Sequence, residues 1–77
     1  MKVIITCYDD LNEAIGVGFL EAETYEAAIE QIAADLDASS WVRMYDSRET
    51  LLACPGLRNK CVRTSAIIAF VVDKWKL

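Results

Sequence analysis

Cysteine and carboxylate side chains are the main candidates for chemistry in this chain, because its 77 residues include no histidine. The absence of histidine removes the commonest general base, the commonest zinc ligand and every nucleophile that depends on an imidazole. The three cysteines stand at positions 7, 54 and 61. Only Cys54 and Cys61 lie close together, and their spacing lacks the short knuckle and the further ligands of a structural zinc site. We therefore expect no bound metal and no cofactor.

Cys54 and Cys61 flank a turn signal, Pro55-Gly56, and the sequence leaves their redox state open. A disulfide across this turn is geometrically feasible. An odd number of cysteines also leaves a thiol for a bridge between two copies of the chain. In a reducing cytoplasm all three thiols would stay reduced, with Cys7 packed in the core.

The carboxylates do not form a pattern that predicts catalysis. Asp9, Asp10 and Glu13 share one polar segment, whereas a catalytic carboxyl group needs surroundings that raise its pKa. The glycine pair in Gly16-Val17-Gly18 lacks the third glycine and the following helix of a dinucleotide-binding loop. We therefore predict that the protein is not an enzyme.

Charge is distributed very unevenly along the chain. Residues 3–42 contain nine carboxylates and no lysine or arginine, so that with Lys2 the first 42 residues carry a net charge of −8. Residues 43–77 carry seven basic and three acidic side chains, a net charge of +4. Acidic residues can simply keep a small protein in solution, but a region of one sign also attracts oppositely charged partners and repels nucleic acid.

The docking interpretation predicts an acidic face that binds a basic surface. The predicted partner-binding residues come from the polar segment and from the outer side of a helix that follows it: Asp9, Asp10, Glu13, Glu26, Glu30 and Asp37. Such a face would act through charge complementarity with lysine and arginine side chains, which favours association rate and register more than raw affinity.

The first half of the chain predicts two strands and a helix. Alternating apolar residues indicate strands at 2–8 and 14–23, joined by a turn over 9–13. Two glycines on one face of the second strand predict a bulge or the close approach of another backbone. Thr24 is the predicted N-cap of an amphipathic helix over 25–37.

The second half predicts further strands. We expect a strand over 41–46 and another over 50–54, in preference to a short helix capped by Ser47 and ended before Pro55. The last strand is predicted over 61–72. Residues 66–72 are apolar at every position, which predicts cover on both faces or a central place in the sheet.

These elements predict a single α+β domain over residues 1–77, in the order ββαβββ. One amphipathic helix would pack on a four- to five-stranded, mainly antiparallel sheet. The expected core consists of Ile4, Ile5, Val17, Phe19, Ile29, Ile32, Leu36, Val42, Ile68 and Phe70. The apolar runs are too short for a membrane span or a signal peptide, so a cytoplasmic location in the host bacterial cell is expected.

The segment Phe19–Glu30, FLEAETYEAAIE, resembles the passage from strand to helix in many small α+β proteins. In size, acidity, absence of catalytic residues and order of elements, the whole chain resembles the small phage-encoded anti-CRISPR proteins. This resemblance lies in format rather than in a motif, and it carries over no individual residue. It implies a non-enzymatic inhibitor that binds a CRISPR-Cas surveillance complex and blocks its target DNA.

Two other functions stay open at this point. The chain could be a small phage or bacterial accessory module that acts by protein binding or by homodimerisation through a sheet edge. It could also bind nucleic acid through its basic second half, with Trp41, Tyr45 and Trp75 as stacking residues. The acidic first half opposes that last function.

Overall fold

The structure, a computed structural model, describes residues 1–53 and 60–76 of the chain. It is an α+β structure, as predicted. Its elements in chain order are β1 (Lys2–Tyr8), β2 (Ala14–Glu21), α1 (Tyr25–Ala38), β3 (Trp41–Met44), α2 (Arg48–Ala53), β4 (Lys60–Arg63), a 3-10 turn (Thr64–Ala66) and β5 (Ala69–Lys74).

The predicted hairpin at the start of the chain is present. β1 and β2 pair in antiparallel register from Lys2 opposite Glu21 to Tyr8 opposite Ala14. The register shifts between Cys7 and Tyr8, which leaves Ile15 as an extra residue on β2. This confirms the bulge that the glycine pair predicted.

The predicted helix and its cap are also confirmed. The Thr24 hydroxyl accepts a hydrogen bond from the Ala27 amide at 3.0 Å, which satisfies one of the free amides of the first turn. α1 then crosses one face of the sheet and buries Ala28 and Ile32. The core on this face contains Val3, Ile5, Cys7, Ala28, Ile32 and Met44.

The strand predicted over 50–54 is wrong, because residues 48–53 form the helix α2. The Ser47 hydroxyl accepts from the Thr50 amide at 3.2 Å and so caps the first turn. Leu51 is fully buried with Ile4, Val17 and Tyr45 on the sheet face opposite α1. The cap and this second core together explain why the segment is helical.

The strands form two sheets rather than the single one expected. A three-stranded sheet has the order β2-β1-β5, and β3 pairs with β4 in a two-stranded sheet. One bridge joins them: the Val17 and Tyr45 amides each donate to the other residue's carbonyl, at 2.9 and 2.8 Å. The predicted antiparallel pairing is therefore present, but it is interrupted between β2 and β3.

The single strand predicted over 61–72 is also wrong. The chain leaves the small sheet after Arg63, turns through Thr64–Ala66 and enters the large sheet as β5. Thr64 fixes this break, because its hydroxyl donates to the Ser39 carbonyl at 2.8 Å and its amide donates to the Ser40 carbonyl at 3.0 Å. The apolar run over 66–72 predicted either cover on both faces or a central place in the sheet, and the central place is not found because β5 lies at the edge of its sheet.

Three of the residues expected in the core are largely exposed: Phe19, Ile29 and Ile68, at 42, 45 and 64% of their full accessibility. Phe19 lies on the same face as Leu51 but beyond α2, where its ring meets that of Trp75 edge-on, with 5.3 Å between centroids. The other expected core residues are buried or partly buried. In the described ranges, no helix has the length and hydropathy that crossing a bilayer requires.

Candidate binding surfaces

The loop between β1 and β2 presents an organised acidic group. One oxygen of the Asp9 carboxylate accepts from the amides of Leu11 and Glu13, both at 2.9 Å. Asn12 adopts a positive φ of 61°, a conformation that asparagine tolerates better than most residues. Asp9 therefore shapes the loop, whereas the exposed Asp10 and Glu13 are free to meet a partner.

The outer side of α1 presents the second acidic group. Glu26, Glu30 and Asp37 are exposed, and α1 contains no basic residue. Asp35, on the other flank, accepts a hydrogen bond from the Gln31 side chain at 3.0 Å. The helix therefore presents carboxylates to solvent along its whole length.

This arrangement works against the stability of α1. Glu26 and Glu30 are four positions apart and therefore repel one another on the helix surface. Asp37 lies in the last turn, where the helix dipole favours a positive side chain. Of Glu26, Glu30 and Asp37, only Glu26, in the first turn, is placed favourably. Glu30 and Asp37 therefore lower the stability of α1 rather than raise it.

The ion pairs of the described residues, Arg48–Asp73 and Lys60–Asp46, do not include the carboxylates of the acidic loop or of α1. Lys60 pairs with Asp46 at 3.3 Å, and Arg48 approaches Asp73 at 3.8 Å. The Arg63 guanidinium lies over the Trp41 ring, 5.0 Å from its centroid. Across residues 1–53 and 60–76, no carboxylate of the first 42 residues lies within 4.0 Å of a lysine or arginine nitrogen.

The acidic loop and the N-terminal end of α1 lie at opposite ends of the β1–β2 hairpin. The loop follows Tyr8, whereas α1 begins four residues beyond Glu21, which pairs with Lys2 at the other end. A strand of seven residues is about 23 Å long. This exceeds the screening length of about 8–10 Å at physiological salt, so the loop and the N-terminal end of α1 act as separate charged sites.

A groove that the sequence analysis did not predict lies between α1, β2 and β3, with a volume of about 460 Å³. Its walls are mainly apolar and include Leu20, Leu36 and Val42, while Asp35 and Arg43 also line it. The groove exists because β2 and β3 separate beyond the Val17–Tyr45 bridge. Gly18 adds to it, since a Cβ atom at that position would meet nothing within 4 Å.

The cysteines contribute no reactive centre to this groove. Cys7 lines it, but burial raises the pKa of the Cys7 thiol to about 11, so the thiol stays protonated at neutral pH. Cys61 is exposed and its thiol is free. Cys54 lies outside the described residues, so the redox state of Cys54 and Cys61, which the sequence left open, stays open. The part of the chain that the structure describes holds no cluster of three or more potential metal ligands.

Comparison with known proteins does not extend this picture, since no family model, curated protein or solved structure matches the chain. The two acidic groups and the groove must therefore be interpreted from their own chemistry.

Proposed function

We propose that this protein is a non-enzymatic binding protein that uses its acidic surface to cover a basic surface of a protein or ribonucleoprotein complex. The observation that carries the proposal is the absence, among the described residues, of any lysine or arginine that neutralises the carboxylates of the first 42 residues. Free carboxylates attract lysine and arginine side chains over distances comparable to the screening length.

The contribution of α1 is the strongest part of the proposal. A helix that is kept acidic despite its own internal repulsion has a stability cost, and partner binding supplies a reason for it. Glu30 lies in the middle of the helix, with Glu26 one turn before it and Asp37 about two turns after it. These three side chains are the proposed contacts on this element.

The acidic loop would form a second, separate contact. Asp10 and Glu13 are exposed, and the Asp9 carboxylate holds the backbone between them. Since the loop and the start of α1 are more than a screening length apart, we expect each to contribute independently. A large basic channel would contact both, whereas a small basic patch would contact only one.

Basic channels that hold nucleic acid are partners of this kind, since they are built to bind phosphates. We therefore propose that the protein acts in the cytoplasm of a bacterial host and prevents such a complex from binding its DNA. A CRISPR-Cas surveillance complex, which the format of the chain suggests, is the first complex to test. Inhibition would arise from occlusion of lysine and arginine side chains rather than from a reaction.

The test is target-DNA binding by a panel of purified surveillance complexes, with and without the protein. The proposal predicts inhibition that weakens steeply as salt is raised from about 50 to 300 mM. Glu26→Lys combined with Glu30→Lys should weaken inhibition at least tenfold, while Glu49→Lys on α2 should change it little. Unchanged inhibition by the double variant would show that α1 is not the contact. If the protein inhibits none of the complexes in the panel, CRISPR-Cas surveillance complexes are not its target.

A further inference from the structure

Among the described residues, the outer edge of β5 is unpaired and has apolar side chains around it. β5 is an edge strand, and within the described residues no other strand pairs with its outer side. Four of the exposed large apolar side chains lie on β5, just before it or beside it on α1: Tyr25, Ile29, Ile68 and Val71. An edge of this kind is a template for pairing with another strand.

The hydrogen-bond pattern shows which residues of β5 face outward. The Trp75 amide donates to the Lys2 carbonyl at 3.0 Å, and the register places Asp73 opposite Ile4 and Val71 opposite Thr6. Bonded pairs alternate along an antiparallel ladder. The peptide groups of Phe70, Val72 and Lys74 therefore point away from β1 and are available to a new strand.

A groove lies directly beside this edge on the α1 face of the sheet. It is lined by Tyr25 and Ile29 of α1 and by Phe70 and Val72 of β5. The two α1 side chains keep 40 and 45% of their accessibility. A strand that paired with β5 would bring further apolar side chains against them, so backbone pairing and apolar burial would occur at one place.

We propose that the occupant of this edge is β5 of a second copy of this chain, paired antiparallel about a twofold axis at Val72. In this register Phe70 of each copy faces Lys74 of the other, and all three outward residues form bonded pairs. On the opposite face, Val71 faces Asp73. No like charges are directly opposed, whereas an axis at Lys74 would place two ammonium groups face to face.

Charge also favours a second copy over an unrelated strand. Lys74 ends β5 and Lys76 follows two residues later, while on α1 Glu26 follows Tyr25 and Glu30 follows Ile29. The twofold pairing sets Lys74 of each copy opposite Phe70 of the other, beside the groove that Ile29 lines, and so carries this lysine toward Glu30 of that copy. The resulting dimer would have a six-stranded sheet with two helices on one face, a closed arrangement that uses the open edge of both copies.

The first test is the mass in solution, measured by sedimentation equilibrium or light scattering between about 5 and 500 µM under reducing conditions. Edge pairing is a small interface, so we expect a concentration-dependent shift from the monomer of 8.6 kDa to twice that mass. Ile29→Gln should raise the dimer dissociation constant at least fivefold, and Tyr25→Gln with Ile29→Gln more so. Leu11→Gln, the matched change at an exposed loop position, should leave it unaltered. A monomer throughout the range would overturn the proposal, as would equal dissociation constants for Ile29→Gln and Leu11→Gln.

The second test fixes the register. In a chain with Cys54 and Cys61 changed to serine, Val72→Cys should form a disulfide-linked dimer under mild oxidation. Directly bonded residues on antiparallel strands have Cα atoms about 5.5 Å apart, within the range that a disulfide spans. Lys74→Cys is the control, because the two copies of residue 74 would be about 14 Å apart. Equal cross-linking of both variants, or none at Val72→Cys, would show that β5 does not pair in this way.

Discussion

The Glu30→Lys variant tests whether the carboxylates of α1 contribute to partner binding or to the stability of the helix. In the native chain Glu26 and Glu30 repel across one turn of α1. In the variant Glu26 and the new lysine attract, in the favourable order with the acid nearer the N-terminus. Removing the Glu26–Glu30 repulsion and gaining an attraction between Glu26 and the new lysine each contribute about 0.2–0.5 kcal/mol. The free energy of unfolding should therefore rise by about 0.4–1 kcal/mol.

For a domain of this size, such a change raises Tm by roughly 2–8 °C. Thermal unfolding followed by circular dichroism at about 20 mM salt measures it directly. The gain should shrink in 1 M salt, where the screening length is about 3 Å. Glu49→Lys is the control, because it removes a favourable acid from the first turn of α2 and should not raise Tm.

The same Glu30→Lys variant should bind the partner more weakly although it folds more stably. Opposite signs for stability and binding are the signature of a residue kept for function. A Tm that is unchanged or lowered at low salt would refute the electrostatic reasoning about α1. A raised Tm with unchanged inhibition would leave the helix energetics intact but remove α1 from the binding surface.

The remaining predictions concern the core and the thiols. Gly16→Ala should destabilise the protein by about 1–3 kcal/mol, because the added Cβ would overlap the Met44 side chain. Gly18→Ala should be tolerated, because a Cβ at that position would meet nothing within 4 Å. Chemical denaturation of the two variants measures the difference. Leu51→Ala should lower the free energy of unfolding by about 2–5 kcal/mol in the same assay, and a smaller loss would mean that α2 does not close the second core. Alkylation at pH 8 should modify Cys61 at once and Cys7 only on unfolding. Burial in the folded state raises the pKa of the Cys7 thiol from an ordinary value of 9.0 to about 11. The stability that the protonated thiol contributes should therefore be complete below pH 9 and be lost as the pH rises to 11. An unchanged free energy of unfolding between pH 9 and 11 would contradict this prediction.

The first half of the fold could be predicted from the sequence because its signals are local. The period-two pattern of β1, the turn formers after Tyr8 and the Thr24 cap each act within a few residues, and each is found as predicted. The glycine pair in β2 correctly indicated a bulge. It did not indicate that β3 would pair with β2 only at the Val17–Tyr45 bridge, because that pairing joins residues far apart in the sequence.

The second half depends on contacts between distant residues, and the sequence pattern misled there. Residues 50–53 have the apolar character of a strand, but the Ser47 cap and the burial of Leu51 against Ile4 favour a helix. The apolar run after Ser65 resembles a central strand, yet Thr64 is tied to Ser39 and redirects the chain to a sheet edge. An apolar run indicates that its side chains must pack against another segment. It does not indicate whether that segment belongs to the same copy of the chain or to a second copy.

The acidic surface could be predicted as a set of exposed carboxylates but not as a geometry. Nothing in the order of residues showed that Asp9 would bond to its own loop or that the loop would lie a strand length from the start of α1. Charge counted along a sequence gives the sign of a surface. The position of each charge follows from the fold.

The most direct measurement of the central claim is comparative capture from a bacterial lysate at about 100 mM salt, quantified by mass spectrometry. Three immobilised forms are compared: the native chain, Glu26→Lys with Glu30→Lys, and Glu49→Lys. Partners with basic nucleic-acid-binding surfaces should be retained by the native chain and by Glu49→Lys, lost from the double variant, and released by about 500 mM salt. Capture of the same partners in equal amount by the double variant would contradict it.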